Sequence, residues 1–573
     1  MKPTRTANQA SRTRRIRKRV MLAVALAVTA ALLSGCALLP LLYQQFVVSD
    51  PEPVPGPATT SMPLPTNDSP VARDADTAYE SGAYYETEDY VMDGGFYPDF
   101  DPYYNTEEYA SQQESGFLSV RTNPLSTFSA DVDTASYCNL RRMLNDDYPT
   151  QEIPSGAVRI EEMLNYFRYD YAQPKDGERF AVTAQLASCP WNAENMLLML
   201  GVRAEEAQKA EEGSNLVFLI DVSGSMSSED KLDLAQQAMV MLAGELTEKD
   251  TVSIVTYASG EDVVIEGANP VADRGALISA ILSLEASGST NGERGLAQAY
   301  ETAMKYYRPK GNNRVILCSD GDLNVGMTSE SELHDYVTKQ KETGVYLSVL
   351  GFGDGNYKDT KMETLADDGN GNYYYIDSIL EARKVLCEEM TQTLYAVADD
   401  VKLQIEFNPA KVAMYRQIGY ENRAMSDQDF VDDQKDAGEV GAGACVTVLY
   451  ELVPADGTEA EGSLKYQQSE LTDAAAGDEW LTLSLRYKEP GASESQERTF
   501  AFGADDVTEE PSGDFLFASA VAEFGMLLRD SEYAGNTDYA SILDLLKRAP
   551  LSDAYREEFF SLVKIAQRLD ALQ

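Results

Sequence analysis

Between residues 215 and 394, short apolar runs alternate with segments whose apolar residues recur at three- and four-residue spacing, and this leaves few folds open. A strand that is apolar along its whole length needs cover on both faces, so the pattern predicts an α/β unit with a mostly parallel, doubly wound sheet. Strands are expected at 216–219, 251–257, 314–318, 346–352 and 373–376, with helices at 275–284, 294–307, 330–343 and 379–394. The helix after the first strand is the clearest, with Leu232, Ala235, Met239, Leu242 and Leu246 on one face. In such sheets ligands bind at the carboxyl ends of strands, where loops and helix N-termini converge.

That rule directs attention to Ile220-Asp221-Val222-Ser223-Gly224-Ser225-Met226, where the chain leaves the first strand. Alternation along an opening strand sends Asp221, Ser223 and Ser225 to a common side. Two further oxygen donors leave corresponding places: Thr290 in Gly288-Ser289-Thr290-Asn291, and Asp320 in Cys318-Ser319-Asp320-Gly321. Five hard oxygen donors from three strand-end loops suit a small divalent cation.

In this order and on this alternation, the five residues resemble the metal-ion-dependent adhesion site of von Willebrand factor type A domains. The resemblance implies that Ser223, Ser225 and Thr290 bind Mg²⁺ (or Mn²⁺) directly, while Asp221 and Asp320 act largely through waters. It also implies a binding role. Neutral hydroxyls compensate the cation only in part, so a carboxylate supplied by a protein partner can complete the shell.

Other chemistries fit poorly. The chain holds one histidine, His334, in a helical stretch beside Glu332 and Asp335, where a surface position is expected. Histidine-ligated zinc sites and histidine-based triads or dyads would all have to rest on this one imidazole, so none is expected, and no enzyme activity is expected. The stretch starting at Asp320 begins like an EF-hand, but Val325 stands where Gly is required and Ser331 where Glu is required. Ser228-Glu229-Asp230-Lys231 matches S-x-x-K without its partner motifs, so a helix N-terminus with an exposed lysine is expected. Asp131-Val132-Asp133-Thr134 misses the D-x-D-x-T phosphatase pattern by one position, which leaves Asp133 or Thr134 as a helix cap. A net charge of −47 repels phosphate backbones, so no nucleic-acid partner is expected. Six dispersed cysteines form neither a disulfide framework nor a zinc knuckle, and buried free thiols are expected.

Eight basic residues precede the apolar run 20–33, which has the length of a signal-peptide core rather than of a membrane span. The run ends in Leu33-Ser34-Gly35-Cys36, which resembles a bacterial lipobox. Cleavage before Cys36 and diacylation of its thiol would leave an exported lipoprotein, membrane-anchored on the extracytoplasmic face of the cell membrane or in the cell envelope. An uncleaved signal anchor is the rival, because apolarity continues to Leu42. Residues 36–116 are acidic and rich in Pro and Tyr, without aliphatic periodicity, as expected of a tether.

Folded sequence is expected in three further parts: a small N-terminal α/β unit (117–202, with a helix at 159–169), the central domain (203–396), and a C-terminal β-rich and helical domain (397–573). Alternation at 401–407, 446–450 and 481–485 predicts antiparallel strands. Helices are expected at 514–528, 539–547 and 554–572, the last with a core stripe of Phe559, Leu562, Ala566 and Leu569. Pro124-Leu125-Ser126-Thr127-Phe128-Ser129, Phe407-Asn408-Pro409-Ala410-Lys411-Val412 and the run from Tyr415 to Arg423 resemble the flanks of a bacterial family of von Willebrand factor type A lipoproteins. The function expected is metal-dependent protein binding at the cell envelope. The alternative is an envelope scaffold whose partners dock on the flanking domains independently of metal.

Overall fold

The computed structural model describes residues 109, 113–130, 132–206, 212–289, 292–321, 330–353, 359–389, 395–435, 437–455 and 471–572. The signal segment, Cys36, almost all of the tether, Asp131 and Thr290 lie outside them.

Before the central domain stand β1 (Leu118–Ser119), β2 (Leu125–Ser129), β3 (Phe180–Ser188) and β4 (Met196–Ala204). The central domain contributes β5 (Ser214–Asp221), β6 (Thr251–Tyr257), β7 (Glu261–Ala268), β8 (Asn312–Ser319), β9 (Tyr346–Phe352) and β10 (Tyr373–Ile376). After it come β11 (Ala396–Phe407), β12 (Val412–Ile418), β13 (Gly438–Gly441), β14 (Cys445–Pro454), β15 (Leu481–Lys488) and β16 (Ser495–Phe502).

The central sheet has the order β10-β9-β8-β5-β6-β7. It is parallel throughout except for β7, which runs antiparallel to β6 at one edge. All five expected strands are present, and β5 is buried along its whole length. From β5 the chain steps to β6 on one side and later returns to β8 on the other. The β5/β8 boundary is thus the switch point where the sheet opens a crevice at its carboxyl edge. Strand β7 escapes sequence reading because its exposed and half-buried edge positions carry Glu261, Asp262 and Glu266 among the valines. The helix Asp359–Asp368 was also not expected, and the one expected at 379–394 is α-helical only over Ile379–Arg383 before a π-type turn, Lys384–Glu388.

The flanks pair with each other. One sheet has the order β1-β12-β14-β4-β3, so strands from after the central domain lie between strands from before it. In the second, ordered β13-β11-β15-β16, β2 adds to β11 in antiparallel register, Phe128 opposite Leu403. The sequence reading assigns the two flanks to separate units. Period-two alternation identifies a strand and its inward face, but not which strand lies across the ladder. Phe128, Leu198, Leu200, Ile405, Phe407, Tyr450 and Leu483, drawn from both sheets, share one core.

Three helices close the chain, Gly513–Leu528, Tyr539–Arg548 and Ala554–Ala571, with the side chains of Ser512, Asp538 and Asp553 accepting from their first-turn amides. Phe559, Leu562, Ala566 and Leu569 are buried as the core stripe expected. Two N-terminal expectations need correction. The helix expected at 159–169 is shorter, Ile160–Asn165, and the helix Ala135–Asn145 begins after Thr134 without a side-chain cap. Asp133 is a tie instead: its carboxylate accepts from the Tyr373 amide (3.1 Å) and from Arg423 (3.2 Å).

Arg141 joins three parts of the chain. Its guanidinium, almost fully buried, meets Asp377 (2.6 Å) and Glu381 (2.8 Å) at the end of the central domain and Glu558 (2.9 Å) on the last helix. The Tyr166 hydroxyl also bonds to Arg141 and Glu381. Arg141→Ala would leave two carboxylates buried without their cation. It is expected to lower stability by about 3–5 kcal/mol in urea titration; a loss below about 1 kcal/mol would show that this cluster does not clamp the parts together.

Candidate functional site

The β5/β8 switch point gathers four of the five sequence-predicted residues into one neighbourhood. Strand β5 delivers Asp221 at its last residue, fully buried. Beyond it the chain turns through a single 3₁₀ turn, Gly224–Met226. That turn keeps the donors on one side: the Ser223 amide donates to Asp221 Oδ1 (2.8 Å), and the Ser223 and Ser225 hydroxyls lie 2.9 Å apart. Ser223 is buried while Ser225 is exposed, so the pair leads from the protein interior to solvent.

Strand β8 ends beside it. Ser319 Oγ donates to Asp221 Oδ2 (3.5 Å) and accepts from the Gly321 amide (3.2 Å). Asp320 follows, only 1% exposed, close enough for its charge to act on Asp221. The third loop docks through its backbone, with the Gly224 amide donating to the Gly288 carbonyl (3.0 Å) and the Ser287 amide to the Val222 carbonyl (2.7 Å). Gly288 has φ +83°, and a Cβ there would lie 2.5 Å from Ser259 Oγ, so a side chain at this position would obstruct the loop. The structure thus brings Asp221, Ser223, Ser225 and Asp320 together. Thr290, two residues beyond Gly288, lies outside the described residues.

Burial dominates the electrostatics. Desolvation pushes the Asp221 carboxyl up to about 6 from its ordinary 3.8, the hydrogen bonds from Ser223 hold it down in part, and the Asp320 charge raises it again. Among the described residues no basic side chain pairs with Asp221. Tyr257, fully buried at the end of β6, has its phenol pushed up by desolvation and by the Asp221 charge.

Lys231 is the residue that sequence reasoning missed. Expected as exposed, it is buried and its Nζ lies 3.0 Å from Asp320 Oδ2. A signal was available: Lys231 falls four, eight and eleven residues before Ala235, Met239 and Leu242, on the buried stripe of that helix. Its placement on the first, π-type turn, Glu229–Asp233, aims the stem at the strand ends.

Other candidate groups fall away. Cys138, Asp377 and Glu381 converge closely enough to hold an ion, but Arg141 donates to all three and supplies the positive charge itself. His334 is about half exposed and engages Asp368 (2.6 Å). Of the five cysteines described, all free, Cys138, Cys189 and Cys318 are buried and Cys387 and Cys445 are partly so. No helix among the described residues is long and apolar enough to cross a membrane.

Comparison with known proteins gives three matches to family models. Residues 215–386 match the von Willebrand factor type A domain, 103–199 a model described as von Willebrand factor, and 392–569 the C-terminal part of the uncharacterized protein YfbK. YfbK of Escherichia coli K12 is 42% identical over 474 residues, which cover 80% of this chain and 81% of that protein. The bovine calcium-activated chloride channel regulator 1 is 29% identical over 161 residues, 28% of this chain and 17% of that protein. A solved structure, von Willebrand factor type A from Catenulispora acidiphila, is 16% identical, with a TM-score of 0.38 over 70% of this chain and 91% of that one.

The raised Asp221 carboxyl has a stability consequence. The folded state holds this proton more firmly than the unfolded chain does, so metal-free stability should fall as pH rises from about 4 to about 6, by up to about 3 kcal/mol. Asp221→Asn keeps an acceptor for the Ser223 amide and should be the more stable protein above pH 6 in chelator. Urea unfolding at pH 4.5 and pH 7 checks this; an identical pH response of the two proteins would mean that no buried charge resides at Asp221.

Proposed function

The chain belongs to the bacterial family of von Willebrand factor type A proteins that includes YfbK, and from that premise we propose that it is an envelope lipoprotein docking protein partners through a bound divalent cation. Domains of this type mediate protein–protein interaction. The observation that carries the finer reading is Asp221: a buried carboxylate, pushed up to about 6, with no basic partner among the described residues and two hydroxyls beside it. A buried charge of this kind calls for a counter-charge. Mg²⁺ or Mn²⁺ fits the donor set, which is all oxygen and mostly neutral. Ser223 and Ser225 would hold the cation, with Thr290 as the third hydroxyl on the loop that Gly288 docks. Asp221 and Asp320 would orient those hydroxyls and the bound waters. A carboxylate of the partner would take the remaining position.

Binding without catalysis is part of this reading. The one imidazole, His334, is engaged with Asp368, and three hydroxyls that hold a cation with two carboxylates that orient them need no proton shuttle. The basic N-terminus, the apolar run 20–33 and Leu33-Ser34-Gly35-Cys36 support export and lipid attachment at Cys36, with the acidic tether holding the folded part off the membrane.

Two experiments test these points. Calorimetric titration of Mg²⁺ or Mn²⁺ into the full chain should show one site of about millimolar affinity or tighter. Asp221→Ala should abolish chelator-sensitive capture of envelope proteins while leaving circular dichroism unchanged, and retained capture rejects the cation. Capture indifferent to chelator would favour the metal-independent scaffold. Removing residues 401–573 cannot serve as that scaffold's control, because it strips β12 and β14 from between β1 and β4. Separately, Cys36→Ser should move the protein from the membrane fraction to the soluble fraction. Unchanged retention in the membrane would point to an uncleaved span.

A further inference from the structure

Lys231 brings a positive charge to a site already proposed to hold a cation, and that is electrostatically costly. Its position is built for the purpose. The ammonium reaches Asp320 Oδ2 at 3.0 Å, and Asp320 is only 1% exposed. The stem runs over Gly353, just past the end of β9. Gly353 has φ +77°, and a Cβ there would lie 2.3 Å from Lys231 Cε. A glycine therefore keeps open the slot that the lysine fills. An apolar residue on this buried stripe would avoid the desolvation of an ammonium.

We propose that Lys231 is a fixed counter-charge of the strand-end site, which weakens its hold on the divalent cation alone and reserves tight binding for cation and anionic ligand together. This rests on the cation reading given above. Asp221, Asp320 and Lys231 sum to one negative charge, and the serine hydroxyls add none. A divalent cation turns that into one positive charge, and a single carboxylate then neutralises the site. Without the lysine, the cation alone would reach neutrality and an incoming carboxylate would leave the site negative. Lys231 thus transfers binding free energy from the first step to the second. The cation attracts the carboxylate, and by linkage the carboxylate raises the cation's affinity by the same factor. The partner class that follows is one presenting an acidic side chain or a chain-terminal carboxylate, engaged only with the metal.

The test is Mn²⁺ binding to the full chain, followed by electron paramagnetic resonance, with acetate as the carboxylate probe. For the wild type, Mn²⁺ affinity should rise several-fold with saturating acetate. Lys231→Met should bind Mn²⁺ roughly ten-fold more tightly, from the repulsion removed across a few ångströms, and should need several-fold more acetate to reach the same enhancement. Lys231→Arg should behave as the wild type. A Met variant that keeps its circular dichroism but binds Mn²⁺ equally or more weakly makes Lys231 a strut for Asp320 and overturns the proposal. If that variant does not fold, the wild type decides, since absence of acetate enhancement overturns the proposal as well. A wild type that binds no Mn²⁺ at all defeats the cation reading itself, a separate failure.

Discussion

A carboxylate that water cannot reach, placed at the end of a strand buried along its whole length, sets the terms for everything around it. Asp221 ends β5, whose eight residues are all buried. Desolvation outweighs the two hydrogen bonds from Ser223, so the charge is under-compensated by the protein itself. Asp320 at the end of β8 adds to the strain, and Lys231 answers for Asp320. The result is a pair of neighbouring carboxylates treated differently: one matched by an ammonium, the other left for something else. Parallel strands make this possible, because β5 and β8 are neighbours that end side by side at the carboxyl edge of the sheet.

The surroundings hold that geometry firmly. The central domain lies in the chain between two halves of a shared pair of sheets, since β2 pairs with β11 and β4 with β14 across it. Arg141 ties the end of the central domain to the first described helix and to the last one. Arg423 makes a second tie, to Asp133 (3.2 Å), Glu363 (3.1 Å) and Asp367 (2.7 Å). Buried ion pairs are weak sources of net stability, but each leaves an uncompensated charge if broken, so they specify one arrangement of the parts. A domain held at several points in this way presents its strand-end loops from a fixed frame.

Much of the site was legible in the residues. Asp221, Ser223 and Ser225 were identified because the same alternation that marks a strand also fixes the side on which its last donors emerge, and Asp320 because it leaves the carboxyl end of another strand of the same sheet. Lys231 was not, because a charged residue near a helix start has a cheap exposed explanation. Its place on the buried stripe was the one available signal, and packing shows where the ammonium goes, past Gly353 to Asp320. Asp133 was misjudged for a related reason: a carboxylate before a helix reads as a cap, and the tie to Tyr373 and Arg423 spans hundreds of residues.

For the fold, local periodicity determined what it can determine. The five parallel strands of the central domain, most of its helices and the three closing helices all follow from spacings within one element, since burying one face or both leaves a different period. The edge strand β7 and the partners of β2, β4, β12 and β14 were decided only by the tertiary structure. A ladder is made by backbone groups common to all residues, so side-chain order along one strand says which face is buried and nothing about which distant strand completes it. The same limit governs charge: the sequence supplies the carboxylates and the lysine, and only their shared exclusion from water turns them into a site.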